Sequence, residues 1–83
     1  MNTYDVEYTD TFGGEANYSW VRRAVIEVAD ACTDKQIMRK AKAAVGLSGT
    51  RGRRDDCGES LVFIPYGSCS IMFVTFKEIS ENE

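Results

Sequence analysis

The sequence predicts an α+β domain in which one helix packs on one face of a small four-stranded antiparallel sheet, in the order ββαββ. Residues 3–11 alternate aromatic or β-branched side chains with acidic or polar ones, which is typical of a half-buried strand. Residues 33–46 combine a helix-start motif with one apolar stripe, and two apolar runs follow residue 60. With 83 residues, of which 43% are hydrophobic, the chain is expected to form a single domain over 1–83 with a frayed tail at 80–83.

The first two strands are predicted to form a hairpin. In "TYDVEYTDT", Tyr4, Val6 and Tyr8 fall on one side of a strand, and "FGGEAN" supplies a glycine-rich turn. In "YSWVRRAVIEVA", alternation separates two sets of side chains, which are Trp20, Arg22, Ala24, Ile26 and Val28 on one face and Val21, Arg23, Val25 and Glu27 on the other.

The helix is predicted over residues 34–45. "TDKQ" fits a capping box, in which the Thr33 hydroxyl accepts from the Gln36 amide and the Gln36 side chain reaches back. One apolar stripe follows at helical spacing, and Gly46 is the expected stop, with the stripe formed by Ile37, Met38, Ala41, Ala44 and Val45.

The last two strands are predicted in "SLVFIPYG" and "SCSIMFVTFKEI", with Pro65 at a strand end. The glycine-rich, charged stretch "SGTRGRRDDCGE" before them is predicted to be a connection without strand structure. Because one helix cannot cover both faces of the sheet, the other face is expected to be polar or to serve as an interface.

The composition gives little indication of catalysis or of metal binding. The chain has no histidine, and its three cysteines form no C-x-x-C motif, so no nucleophile–base pair or zinc site is indicated. We therefore expect a protein that is not an enzyme and has no cofactor. The absence of a signal-peptide pattern and of a long apolar run predicts a cytoplasmic protein without membrane association.

Charge is distributed in three blocks. Residues 1–30 have a net charge of −4, residues 31–54 of +6 and residues 55–83 of −5, which together give −3. Blocks of this kind bear on binding partners rather than on fold.

Two hypotheses for a binding site follow from these blocks. In the first, carboxylates on a strand and its turn imitate a phosphate backbone, and tyrosines near turns act as anchors for a protein partner. Its residues are Asp5, Glu7, Asp10, Glu15, Tyr18 and Tyr66, together with a charged rim of Arg53, Arg54, Asp55, Asp56 and Glu59. In the second, the basic 35–54 segment binds nucleic acid, although an isoelectric point near 4.9 is far below that of most such modules.

Three stretches, "YTDTFGGEANYSWVRR", "RKAKAAVGLSG" and "PYGSC", resemble a family of small proteins encoded by phages and prophages, mainly of alphaproteobacteria. Some small phage proteins of this size are anti-CRISPR proteins that dock on the Cascade surveillance complex or on Cas nucleases. The resemblance therefore implies a stoichiometric inhibitor of a host defence complex, acting in the host cytoplasm as a monomer or small homo-oligomer. It provides no active-site residues to carry over.

Overall fold

The computed structural model of the chain describes residues 1–58 and 60–79. Along these residues two strands precede a helix and three strands follow it. The elements are β1 (Asn2–Phe12), β2 (Glu15–Val28), α1 (Asp34–Ala44), β3 (Gly52–Cys57), β4 (Ser60–Pro65) and β5 (Ser70–Ile79). The predicted tail at 80–83 lies outside the described residues.

The expected four-stranded sheet is wrong, because the chain forms one five-stranded antiparallel sheet in the order β2-β1-β5-β4-β3. The additional strand, β3, lies inside the stretch predicted to be a connection. Its residues "GRRDDC" pair with β4 from Gly52↔Pro65 to Cys57↔Ser60. Arginine and aspartate have weak strand propensity, but at a sheet edge the backbone pairing decides, and charged side chains protect the edge from further pairing.

Gly52 explains how β3 approaches β4 so closely. A Cβ atom at this position would lie 2.7 Å from Cζ of Phe63 and 2.8 Å from Cα of Pro65, and it would also clash with the carbonyl oxygen of Ile64. A side chain is therefore excluded here, and the glycine that suggested a loop is required by the sheet.

The helix begins as predicted and ends at Ala44, one residue earlier than expected. The Gln36 amide donates to the Thr33 hydroxyl at 3.2 Å, and the Thr33 amide donates to the Gln36 side chain at 2.9 Å, so the capping box is confirmed. At the other end Gly46 takes a left-handed backbone with φ of +83°. The Arg22 guanidinium of β2 donates to the carbonyl of Val45 at 2.8 Å, which ties the end of the helix to the sheet.

The hydrophobic core lies between α1 and one face of the sheet. Cross-strand pairing places side chains from β1, β2, β4 and β5 on that face, where the helix covers them. The core residues are Val6, Ile26, Val28, Ile37, Met38, Ala41, Val45, Leu47, Phe63, Met72 and Val74.

The opposite face of the sheet has no helix over it within the described residues, and we call it the uncovered face. Its side chains mix charge with apolar surface, as the pairs Glu7↔Phe73, Asp5↔Thr75 and Asp5↔Val25 show. Val25 is 58% exposed there. No helix among the described residues is long and apolar enough to cross a membrane.

Candidate functional site

One candidate site is a cavity of about 490 Å³ between α1 and β3, within the usual size range of ligand pockets. We call it the basic cleft, because four of its seven lining residues are cationic. It is lined by Lys35, Met38, Arg39 and Lys42 of α1, by Ser48 and Gly49 of the following turn, and by Arg54 of β3.

The helix contributes three of these cations through its periodicity. Lys35, Arg39 and Lys42 are spaced at i, i+4 and i+7, which places them on one side of α1. Met38 is 6% exposed and lies between them, so the cations surround an apolar floor. The capping box fixes the start of this helix and with it the position of the row.

Arg54 reaches the cleft because consecutive residues of a strand point to opposite faces. It pairs across the sheet with Phe63, a core residue that is 4% exposed, so Arg54 lies on the helix side. Its neighbour Arg53 lies on the uncovered face, where it forms an ion pair with Asp55 at 3.1 Å. The two adjacent arginines therefore belong to different surfaces.

Lys42 is held in place by contacts with its surroundings. Its Nζ donates to the carbonyl oxygen of Thr50 at 2.6 Å and lies 4.5 Å from the centroid of the Phe63 ring. A carbonyl and an aromatic face orient the ammonium without neutralising its charge.

No acidic residue lines the basic cleft. Among the described residues no carboxylate forms an ion pair with Lys35, Arg39, Lys42 or Arg54. Like charges four residues apart on a helix are destabilising by about 0.2–0.5 kcal/mol per pair. An anion bound in the cleft would offset this repulsion, and none of the lining residues is acidic.

The predicted acidic display is only partly available to a partner. Glu7 accepts from the Tyr18 hydroxyl at 2.7 Å and from Nε of Arg23 at 3.1 Å. Asp10 accepts from the backbone amide of Ser19 at 2.9 Å, from the Ser19 hydroxyl, and from the Asn17 side chain at 3.0 Å. The carboxylates of Glu7 and Asp10 therefore stabilise the β1–β2 hairpin through these hydrogen bonds. Asp5, in contrast, is exposed.

Tyr18 is the only described non-glycine residue with a left-handed backbone, at φ of +56°. Such a conformation is rare for a bulky residue and is typical of positions that the surrounding structure constrains. The hydrogen bond to Glu7 raises the pKa of its hydroxyl above the ordinary value. Tyr18, Asp5 and Glu7 border a shallow cavity of about 340 Å³ on the uncovered face, together with Phe73 and Thr75.

The remaining predicted site residues are scattered. Glu15 is exposed at the start of β2, and Tyr66 is 69% exposed after β4. Asp56 lies on the helix side of β3 and borders a separate cavity of about 200 Å³ with Asp34. Glu59 lies outside the described residues.

Sequence reasoning missed Met38, Ser48 and Gly49 as residues of a cleft, and Arg23 as the partner of Glu7. Met38 was assigned to the core, which is correct, but it also forms the floor of the cleft. Alternation along β2 could have indicated Arg23, because Glu7 and Arg23 are both on the non-core side of their predicted strands.

No protein-family model, curated protein or solved structure matches this chain. The resemblance to a phage protein family consequently stays a prediction. Those residues contain no group of three or more histidine, cysteine, aspartate or glutamate side chains that could hold a metal ion.

Proposed function

We propose that this protein binds single-stranded nucleic acid through the basic cleft. The observation that carries the proposal is the cavity of about 490 Å³ lined by four cations from two separate elements, with no acidic residue in its lining. Three cations on a helix could simply be a solvent-exposed face. Arg54 of β3 adds a fourth cation from a separate element, which a solvent-exposed helix face would not need.

The dimensions of the cleft suit a short run of phosphates. Lys35 and Lys42 are seven residues apart on α1, which corresponds to about 10 Å along the helix axis at about 1.5 Å per residue. A stacked strand carries one phosphate per about 3.4 Å of its helix axis, so the row is as long as about three such steps. Met38 contributes a small apolar area to the floor of the cleft.

A single strand fits this protein better than a duplex. The net charge of −3 and the acidic blocks on either side of residues 31–54 repel a long duplex, which brings many phosphates near the whole surface. A single strand can enter the cleft locally while the rest of it stays away from the acids.

The test is the affinity of the protein for a labelled single-stranded oligonucleotide of about 12 nucleotides, measured by fluorescence anisotropy at increasing salt. With three to four phosphates neutralised, log K should fall with log salt with a slope of about −2 to −3, at about 0.7 per phosphate. A duplex of the same sequence should bind more weakly.

Arg54→Glu and Arg53→Glu make a matched pair of variants, because both reverse one charge on β3 but on opposite faces. We expect Arg54→Glu to weaken binding by about tenfold or more and to reduce the salt slope by about 0.7 to 1.4, whereas Arg53→Glu stays within about threefold of wild type. Equal losses would place the interaction outside the cleft, and no binding at low salt would refute the function.

As a second candidate, we propose the phage-encoded inhibitor that the sequence suggested, a protein that blocks DNA binding by a type I Cascade complex in the host cytoplasm. The observation that favours it is the cluster of Tyr18, Glu7 and Arg23 on the uncovered face, where Tyr18 is 49% exposed and fixed by a hydrogen bond. Tyrosine and arginine in ordered positions are the residue types that dominate protein interfaces.

This candidate is tested by affinity purification of the tagged protein from a host that contains Cascade. Near-stoichiometric recovery of Cascade subunits is expected from wild type, and its loss from Asp5→Lys, because Asp5 borders the Tyr18 cavity with its carboxylate exposed. Asp30→Lys serves as the control, since it makes the same charge change at an exposed position outside that cavity. If Asp5→Lys retains Cascade as well as wild type does, the uncovered face is not the contact.

A further inference from the structure

The turn over residues 47–50, which contributes to the lining of the basic cleft, is held by hydrogen bonds to the helix. The amide of Thr50 donates to the carbonyl of Leu47 at 3.0 Å, and Gly49 between them has a left-handed backbone with φ of +77°. Leu47 is 8% exposed, and its amide donates to the carbonyl of Lys42 at 2.7 Å. The Lys42 side chain donates in turn to Thr50, so both ends of the turn are bound to the helix.

The two residues at the tip of this turn, Ser48 and Gly49, line the cleft and have unused hydrogen-bond donors. No described residue accepts a hydrogen bond from either backbone amide or from the Ser48 hydroxyl. Both residues are exposed. Backbone amides of a turn together with a serine hydroxyl are donors that proteins use to bind phosphate oxygens.

The turn adds a local group of neutral donors to the cations of the cleft, and a terminal phosphate can use more of them than an internal one. A phosphodiester carries one negative charge, whereas a phosphate monoester carries about −1.5 to −2 at pH 7 and presents three terminal oxygens. Ser48 and Gly49 form part of the wall of the cavity of about 490 Å³, so these donors face the same space as the cations.

We infer that the basic cleft binds the phosphorylated end of a nucleic-acid strand, with the terminal phosphate at the Ser48–Gly49 turn between Arg39 and Arg54. This inference rests on the proposed function, because it specifies which part of a single strand occupies the cleft. A strand with a hydroxyl end still binds through its internal phosphates, but more weakly.

The experiment compares oligonucleotides of one sequence that carry a 5′-phosphate, a 3′-phosphate or hydroxyls at both ends. Binding is measured by competition against a labelled strand. One of the phosphorylated strands should bind about tenfold more tightly than the hydroxyl strand at neutral pH, and the strand with the higher affinity identifies which end enters the cleft. The preference should shrink as the pH falls below about 6, where the monoester takes up its second proton. The chain has no histidine, and no carboxylate lines the cleft, so this change reports on the phosphate.

Ser48→Ala separates this inference from the proposed function. It should reduce the affinity for the phosphorylated strand about threefold or more beyond any loss for the hydroxyl strand, and Ser68→Ala in the turn before β5 should change neither affinity. Equal affinity for all three strands would overturn the inference and leave the proposed function standing. If none of the three strands binds, the proposed function itself fails.

Discussion

At the scale of single residues, the sequence predicts Asp10 to be a partner-binding carboxylate, whereas in the structure Asp10 stabilises the hairpin. The register between β1 and β2 changes from Thr9↔Val21 to Thr11↔Ala16, so several residues of β2 lie opposite Asp10 alone. Its carboxylate binds the amide and hydroxyl of Ser19 and the side chain of Asn17, which gives this irregular segment its hydrogen bonds. The Ser19 hydroxyl and the Asn17 amide hold the pKa of Asp10 well below its ordinary value.

This low pKa leads to a prediction about acid stability. A group whose pKa is depressed in the folded state stabilises the fold above its unfolded-state pKa of about 4, and that contribution is lost as the pH falls below this value. We expect Asp10→Asn to have a lower melting temperature than wild type at neutral pH and a flatter decline in acid, as followed by circular dichroism. Asp5→Asn is the control and should leave the decline unchanged, because no hydrogen bond to Asp5 fixes its carboxylate among the described residues. Parallel curves for wild type and Asp10→Asn would contradict the role of the charge.

At the scale of elements, the sequence predicts those parts whose signals are local. The alternation in β1 and β2 and the capping box of α1 depend on near neighbours, and the structure confirms all three elements. The strand β3 could not be predicted in this way, since its residues have low strand propensity and its stability comes from pairing with β4 across the following turn.

The same limit applies to the candidate site. The row of Lys35, Arg39 and Lys42 can be predicted from helical spacing alone, and the sequence identified these residues as one charged segment. Arg54 joins this row, and Arg53 is excluded from it, only once residues 52–57 are known to form a strand that lies beside the helix. The cleft therefore depends on β3, the strand that was not predicted from the sequence.

At the scale of the whole molecule, the fold is a two-layer structure with one hydrophobic core. The central residues of that core, such as Met72 and Val74, are at most 1% exposed beneath α1. The other side of the sheet keeps apolar side chains in contact with solvent, and Val25 is 58% exposed. A small domain of this kind has a limited margin of stability, on the order of 5–15 kcal/mol, so the covered face must supply most of it.

The contributions of the two sheet faces to the free energy of unfolding can be compared with two substitutions, one on each face. Met72→Ala should lower the free energy of unfolding by about 2–5 kcal/mol, because it leaves a cavity beneath the helix. Val25→Thr, a change of similar volume on the uncovered face, should cost less than about 0.5 kcal/mol, as is usual for an exposed position. Urea unfolding followed by circular dichroism gives both values.

A loss at Val25 comparable to that at Met72 would mean that the uncovered face is buried in solution. If that loss disappeared on dilution, a second copy of the chain would be the covering layer, and the Tyr18 cluster would belong to a dimer interface instead of a site for a different partner.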